Sequence, residues 1–355
     1  MKVLVVAAEE SASIHALGII RHLRKMGNYS FWGVGSSILD EVMDVVIPSE
    51  ELSFVGFEEP LRVARIVRAY LTLKRLARES DALLLFDYPG MNLRLASYAK
   101  GLGKRVCYYI APQVWAWGRW RIRKIKKAVD ALACLFPFEE PFFRSYGVNA
   151  RFFGHPLVDR LLPYRSSERR WLLLLPGSRN SEVASLLPVM VEAAEPFHKR
   201  GIPVALVRAQ SVSESLYSAP PWVEVVSFEE RYTVMGEGLV AVAASGTATL
   251  ELALLEVPTV VVYRVSPLSW FLGRRLVKVD FLSIVNILLG REVFPELLQD
   301  RCVPGAVAEA IGCLLNPKVR RGIVESVSAL ETLLKGERPY MRAAEFFHEV
   351  ISEAS

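Results

Sequence analysis

Three short stretches hold residues whose types and spacing suit chemistry on a phosphorylated sugar. In LLLLPGSRNSEV, Pro176, Gly177, Ser178 and Arg179 follow an apolar run and precede a helical pattern beginning near Ser181. Backbone N–H groups at a helix start are unpaired and sit at the positive end of its dipole, so they stabilise a phosphate, and an arginine adds a two-pronged contact. A plain strand-to-helix turn with a surface arginine would read the same way. AVAASGTATLELALLEVP repeats the arrangement with Ser245, Gly246 and Thr247, followed by Glu251 about one turn into the next helix. There a carboxylate can accept from ribose hydroxyls, although a solvated helix position fits Glu251 equally well. Two such loops in one half of the chain favour a nucleotide diphosphate over either loop alone.

The third stretch, ALLLFDYPGMN, ends an apolar run with Asp87. A carboxylate at a strand's carboxyl edge can take the proton from an acceptor hydroxyl attacking a sugar's anomeric carbon. The alternative is a turn or helix-capping aspartate ahead of Pro89. His15 and His155 are other conceivable bases, though a lone histidine more often has a structural role. No lysine of the Walker type follows either loop, and neither G-x-G-x-x-G nor D-x-D occurs. ATP hydrolysis and hydride transfer therefore recede. The pattern suits a sugar-nucleotide transferase without metal or cofactor, in which arginine and helix ends meet the leaving diphosphate.

These loops need strands to carry them. KVLVVAA, YSFWGVG, ALLLFD, RVCYYIAP, ALACLFPF and ARFFGHP alternate with helical patterns in the first half, and WLLLLPGS, PVALVRA, WVEVVS, LVAVAAS and PTVVVYR do so in the second. That alternation predicts α/β architecture with mainly parallel sheets in two Rossmann-like domains, with ligands at the strands' carboxyl ends. A length of 355 residues suits two domains. Boundaries are expected at 1–163 and 168–335, joined through the polar DRLLPYRSSERR near 159–170, with a C-terminal helix over 336–355. The opening MKVLVVAAEESAS reads as a first strand, because Glu9 and Glu10 follow too few apolar residues for a signal sequence. No run reaches the roughly 18 apolar residues of a spanning helix. Four cysteines without a C-x-x-C pair argue against a zinc site and favour a reducing cytoplasm. The net charge of +5 suits an anionic partner without choosing one.

Taken in order, FDYPGMN, PQVWAWGRWRIRKI, LFPFEEPFF, FFGHPL, LPGSRNSEV, SGTATLELAL and VKVDFLSIVNILLGREVFPELLQ resemble the lipid-A-disaccharide synthase family, glycosyltransferase family 19, over about residues 2–315. The resemblance implies a GT-B fold whose two domains face a cleft, with C-terminal helices returning to the first domain or exchanged within a dimer. It also implies inverting, metal-independent transfer from UDP-2,3-diacylglucosamine to 2,3-diacylglucosamine 1-phosphate, at the cytoplasmic face of the inner membrane. On that resemblance Asp87 is the general base. Ser178, Arg179, Ser245, Gly246, Thr247, Glu251 and Asn286 then belong to the UDP-sugar side, Asn286 through the S-x-x-N segment. One loop departs: where the family reads A-G-E-x-S-G-D, this chain has Ala7, Ala8, Glu9, Glu10, Ser11, Ala12 and Ser13. Glu9 and Ser11 remain as candidate contacts to acceptor or donor sugar, while loss of both glycines forbids easy positive φ there.

Acylated substrates require a membrane surface, and residues 60–78 suit one. As a helix, Val63, Ile66, Val67, Tyr70 and Leu73 share one side, with Arg65, Arg68, Arg75 and Arg78 opposite, and Phe54, Val55 and Phe57 precede it. An apolar stripe facing the core is the competing reading. Gln113 to Trp117 are expected to pack beside the sugar site, and Arg119 to Lys127 to form a positive rim attracting phosphorylated acceptor or anionic lipid. Two rival functions remain: another GT-B enzyme using UDP-N-acetylglucosamine, and a basic nucleic-acid-binding protein. No RNA-binding module pattern surrounds the tryptophans, and no nucleic-acid partner is expected.

Overall fold

The computed structural model describes residues 1–52, 59–265 and 279–353, with the backbone alone at residues 50 and 59–65. Phe54, Val55 and Phe57 lie outside the described residues, as does the side chain of Val63. The chain divides into two compact units, residues 1–156 with 336–355, and residues 157–335.

The first unit is a parallel sheet in the order β3-β2-β1-β4-β5-β6-β7. Its strands are β1 (Lys2–Ala7), β2 (Ser30–Gly35), β3 (Asp44–Pro48), β4 (Ala82–Phe86), β5 (Arg105–Tyr109), β6 (Ala131–Cys134) and β7 (Ala150–Phe152). Central strands such as ALLLF are buried along their whole length because helices cover both faces, which is why they read as unbroken apolar runs. Leu4, Val6, Leu83, Leu85, Val106, Tyr108 and Leu132 share a core with Leu73 and Leu76 of helix Glu59–Arg78, Leu95 and Ala99 of helix Pro89–Gly101, and Ile122 and Ile125 of helix Ile122–Ala128. Right-handed crossovers place those three helices on one face.

Helix Glu10–Met26 carries the C-terminal helix Pro339–Ser352. Gly18 leaves room for the Tyr340 ring, since a Cβ there would lie 2.6 Å from it. Tyr340 Oη is 3.0 Å from His15 Nδ1, and Tyr29 Oη is 2.6 Å from His348 Nδ1.

The second unit is a parallel sheet in the order β10-β9-β8-β11-β12-β13, built from β8 (Trp171–Leu175), β9 (Val204–Val207), β10 (Val223–Val226), β11 (Gly238–Ala244), β12 (Thr259–Tyr263) and β13 (Glu296–Leu298). The expected boundary near 163–168 moves upstream to 156/157. The first residues of the supposed linker form helix Leu157–Leu161, whose Leu157, Val158 and Leu161 are buried and which packs on helix Thr247–Leu254. Arg165 then bonds Leu254 O and pairs with Glu256 and Glu331. A charged stretch that looks like a solvated linker is thus tied into the second unit by its arginines.

Candidate active site

In each unit the strand order reverses at one place, between β1 and β4 in the first and between β8 and β11 in the second. Crossovers leave those neighbouring strands in opposite directions, so a crevice opens at their carboxyl ends. The register is close: Ala7 pairs with Phe86, and Leu175 with Ala243. Glu9 and Asp87 therefore emerge side by side in one unit, as do the Pro176–Arg179 and Ser245–Thr247 turns in the other.

Asp87 has φ 45° and Tyr88 φ 47°, both left-handed. A residue before proline is expected in the extended region, so this conformation has to be held. Asn92 Nδ2 donates to Phe86 O at 3.0 Å and to Asp87 O at 2.8 Å, Tyr108 Oη donates to Asp87 O, and the Asp87 N–H reaches Tyr109 O at 3.1 Å. Neither Asn92 nor Tyr108 stood out in the sequence, though Asn92 closes the quoted FDYPGMN. Burial pushes the Asp87 carboxyl up to about 6, helped by the negative charge of Glu9 and opposed by the Tyr88 N–H. A carboxylate with pKa near neutrality is suited to proton transfer.

The altered loop keeps ordinary backbone: none of residues 7–13 has positive φ. Ala8 and Ala12 are buried, and Ser13, standing where the family has aspartate, accepts the Ser36 N–H at 3.1 Å. Glu9 and Ser11 are exposed at the start of helix Glu10–Met26. Of the two histidines, His155 is buried and pushed down to about 3 by that burial and by His15, and His15 is engaged with Tyr340, its ring tilted 45° to that of Tyr109 at 5.4 Å.

In the second unit Gly177 has φ 116°, and a Cβ would meet Glu182 Oε2 at 2.5 Å, so only glycine fits. Glu182 receives the Ser178 N–H at 3.1 Å and the Arg179 guanidinium at 2.8 Å. This internal carboxylate occupies the donors an incoming phosphate would use. The Arg179 side chain is 72% exposed, and such a surface pair is worth at most about 1 kcal/mol, whereas charge-assisted bonds to a ligand contribute about 1.5–3 kcal/mol each. Gly246 and Thr247 are exposed at the start of helix Thr247–Leu254, and a Cβ on Gly246 would meet nothing within 4 Å. Ser245 Oγ donates to Leu282 O at 3.3 Å. Glu251 Oε1 accepts from Tyr232 Oη at 2.8 Å, and among the described residues its other oxygen has no partner. Burial raises its pKa against that bond and the charges of Arg231 and Arg160.

Asn286 requires a correction. It was expected among the donor contacts, yet it is fully buried and its amide is saturated by protein. Nδ2 donates to Phe294 O and Glu296 Oε1, both at 2.8 Å, while Oδ1 accepts from Val293 N and Phe294 N, both at 2.9 Å. Four bonds exhaust an amide's ordinary capacity. Glu296 adds the N–H groups of Leu282 and Ser283. The pair frames the segment whose Leu282 carbonyl holds Ser245.

A second correction concerns Tyr70, which packs against the first unit's core beside fully buried Leu73 rather than on an outer face. Ile66 is half-buried, and Val67 is 51% exposed. Trp115 Nε1 donates to Glu139 Oε1 at 3.0 Å, and Glu139 also receives the Leu135 and Phe136 N–H groups. Burial pushes Glu139 up to about 7. Among the described residues no three His, Cys, Asp or Glu side chains are grouped as a metal site.

Two parallel sheets, each with a crevice at its reversal point, define a GT-B glycosyltransferase architecture. Solved structures share it: the calicheamicin glycosyltransferase CalG4 has a TM-score of 0.60 at 16% identity, covering 99% of this chain and 98% of that one. UDP-GlcNAc 2-epimerase from Neisseria meningitidis, bound to UDP-GlcNAc, has a TM-score of 0.63 at 11% identity, covering 99% and 100%. Sequence narrows the class further. The family model for lipid-A-disaccharide synthetase matches residues 3–350, and the chain belongs to that family. It is 39% identical to the lipid-A-disaccharide synthase of Geobacter metallireducens over 90% of this chain and 88% of that protein, and 36% identical to that of Myxococcus xanthus over 99% and 97%. Family membership makes it a glycosyltransferase of lipid A biosynthesis, and separates it from the epimerases, with which it shares the fold.

Proposed function

We propose that the chain joins UDP-2,3-diacylglucosamine to 2,3-diacylglucosamine 1-phosphate with inversion, releasing UDP. The acceptor's 6-hydroxyl attacks the donor's anomeric carbon, the bond from that carbon to the β-phosphate oxygen breaks, and the hydroxyl proton passes to Asp87. The departing diphosphate takes the Ser178 N–H and Arg179 from Glu182 and lies over the open start of the helix at Gly246 and Thr247. The free oxygen of Glu251 accepts from ribose. Asn286 and Glu296 position the Ser245 turn without touching the ligand. Glu9 and Ser11 face the sugars beside Asp87. No metal is needed where arginine and helix N–H groups meet the leaving charge.

The reading rests above all on Asp87, a carboxyl with pKa about 6 held in left-handed backbone at the reversal point of its sheet. Among the described residues no helix is long and apolar enough to cross a membrane. Acylated substrates then require docking at the inner membrane's cytoplasmic surface, for which exposed Val67 and Leu71 on helix Glu59–Arg78 are suited. UDP release from diacylated donor, with and without acceptor, tests the proposal. Release must depend on acceptor and fall more than about tenfold, or 1.4 kcal/mol, in Asp87→Asn. Acceptor-independent release, or a variant that keeps its rate, counts against it.

A further inference from the structure

Helices Pro89–Gly101 and Ile122–Ala128 pack side by side, and a cavity of about 490 Å³ opens on their outer surface, lined by Ser97, Lys100, Trp120, Arg123, Lys124 and Lys127. Lys100 is paired with Asp130, which also takes Arg105. Arg123, Lys124 and Lys127 make no ion pair or hydrogen bond among the described residues. Partial burial lowers the Lys124 pKa, and Arg94 and Arg121 lower it further, so the local field is positive and uncompensated. Ordinary folding accounts for some of this charge, since cations near helix C-termini are favourable. It does not account for Trp120, whose large ring is 72% exposed at the cavity's edge. Leaving such a ring in water forgoes much of its burial energy, and tryptophan is the side chain most suited to a membrane–water interface.

The surroundings continue the pattern. Leu102 at the end of helix Pro89–Gly101 is 41% exposed and Trp117 is 41% exposed. The neighbouring helix Glu59–Arg78 shows Val67 and Leu71, while its Lys74 and Arg78 lie over Tyr98. Arg121 sits over Trp117 and Trp120, at 4.2 and 5.2 Å from the ring centroids.

We propose that this basic cavity is a headgroup site for an anionic membrane phospholipid, with Trp120 as the interfacial anchor beside it. A phosphodiester in the cavity would meet Arg123, Lys124 and Lys127, while the exposed apolar side chains around it enter the acyl boundary. A nucleic acid would need successive stacking platforms along a groove. The exposed rings here, Trp117 and Trp120, both have Arg121 over them instead of standing open in series, and Leu102, Leu71 and Val67 are not aromatic. From Pro89 to Lys100 the helix advances roughly 16 Å at 1.5 Å per residue, so the cavity is separate from Asp87. The inference rests on the proposed membrane-bound substrates only for its purpose, and its test does not depend on turnover.

The full chain is sedimented with phosphatidylcholine vesicles, with and without phosphatidylglycerol. Lys124→Ser with Lys127→Ser should weaken binding to phosphatidylglycerol vesicles roughly tenfold or more, at about fivefold per basic residue near an anionic surface. Binding to phosphatidylcholine alone should not change. Trp120→Ser, at an exposed position where folding is not at stake, should lose the part of the binding that survives high salt. Unchanged vesicle binding in either variant overturns the proposal. So does displacement from vesicles by inorganic phosphate at low concentration, which would make this a free-phosphate site, or a shift onto RNA abolished by the same substitutions. A wild-type chain that binds vesicles in this way yet releases no UDP would instead refute the transferase reading and leave the headgroup site standing.

Discussion

Replacing Asp87 by asparagine tests the base through stability as well as rate. The carboxyl is pushed from an ordinary 3.8 up to about 6, first by burial and then by Glu9. A group whose folded-state pKa is raised holds its proton more tightly in the folded protein. Its contribution to stability is fully present below the unfolded value and is lost as pH rises through about 6. The gap from 3.8 to about 6 is worth 1.36 kcal/mol per pH unit, so the ionised carboxylate costs the fold up to about 3 kcal/mol above neutrality. Asparagine carries no charge, still accepts the Tyr88 N–H, and is among the residues that tolerate positive φ.

Asp87→Asn should therefore be more stable than wild type at about pH 8, by as much as 3 kcal/mol, and the advantage should vanish at about pH 4. For a unit of this size each kcal/mol moves a thermal midpoint by roughly 2–4 °C. Urea denaturation at both pH values measures the difference, and UDP release at the higher pH measures the loss of rate. A gain of stability together with loss of turnover is the mark of a charge kept for chemistry. The reasoning fails if the variant is no more stable than wild type at the higher pH, or if its advantage is the same at both.

Three further substitutions probe the rest of the site. Glu9→Gln removes a like charge beside Asp87, so the acid limb of kcat/KM, expected near pH 6, should move to lower pH; an unmoved limb means that Glu9 does not set it. Gly246→Ala places a methyl where nothing lies within 4 Å, so the midpoint of unfolding should hold while the donor KM rises several-fold; an unchanged KM denies a phosphate at that turn. Asn286→Ala strands two N–H groups and a carbonyl, and leaves the buried Glu296 carboxylate with the Leu282 and Ser283 N–H groups alone. It should cost about 3–5 kcal/mol in denaturant unfolding, and a loss under about 1 kcal/mol would contradict the frame.

The two reversal points were legible because each places a polar turn between an apolar run and a helical pattern, and neither signal depends on distant contacts. The backbone at Asp87 was not. D-Y-P reads as a turn, and the left-handed pair is held by Tyr108 from the next strand and by Asn92. The role of Asn286 is hidden in the sequence for a related reason. Its amide is consumed by Val293, Phe294 and Glu296, seven to ten residues later in the chain, a return that no local pattern announces. Tyr70 shows the limit of periodicity, since a stripe bound for the core and one bound for lipid look alike until the helix's neighbours are known. Glu139 directly follows the apolar LFPF, yet nothing in sequence joins it to Trp115, 24 residues away.

The departure of the first loop from its family pattern bears on how this site is built. Loss of two glycines and an aspartate beside the base is a change that could displace it only if the loop held it. Asp87, however, is fixed from the other side, by Asn92 in the following helix and by Tyr108 and Tyr109 on β5. Left-handed conformations cost of order 1–3 kcal/mol at non-glycine residues and persist only where surroundings over-determine them; here none of the determining groups belongs to residues 7–13. What the loop supplies is charge. Glu9 adds to the field that raises Asp87, while Ser13, through Ser36, ties the loop to the end of β2. The substitutions at Ala8, Ala12 and Ser13 can accordingly change how the loop meets a sugar while the proton acceptor keeps its place.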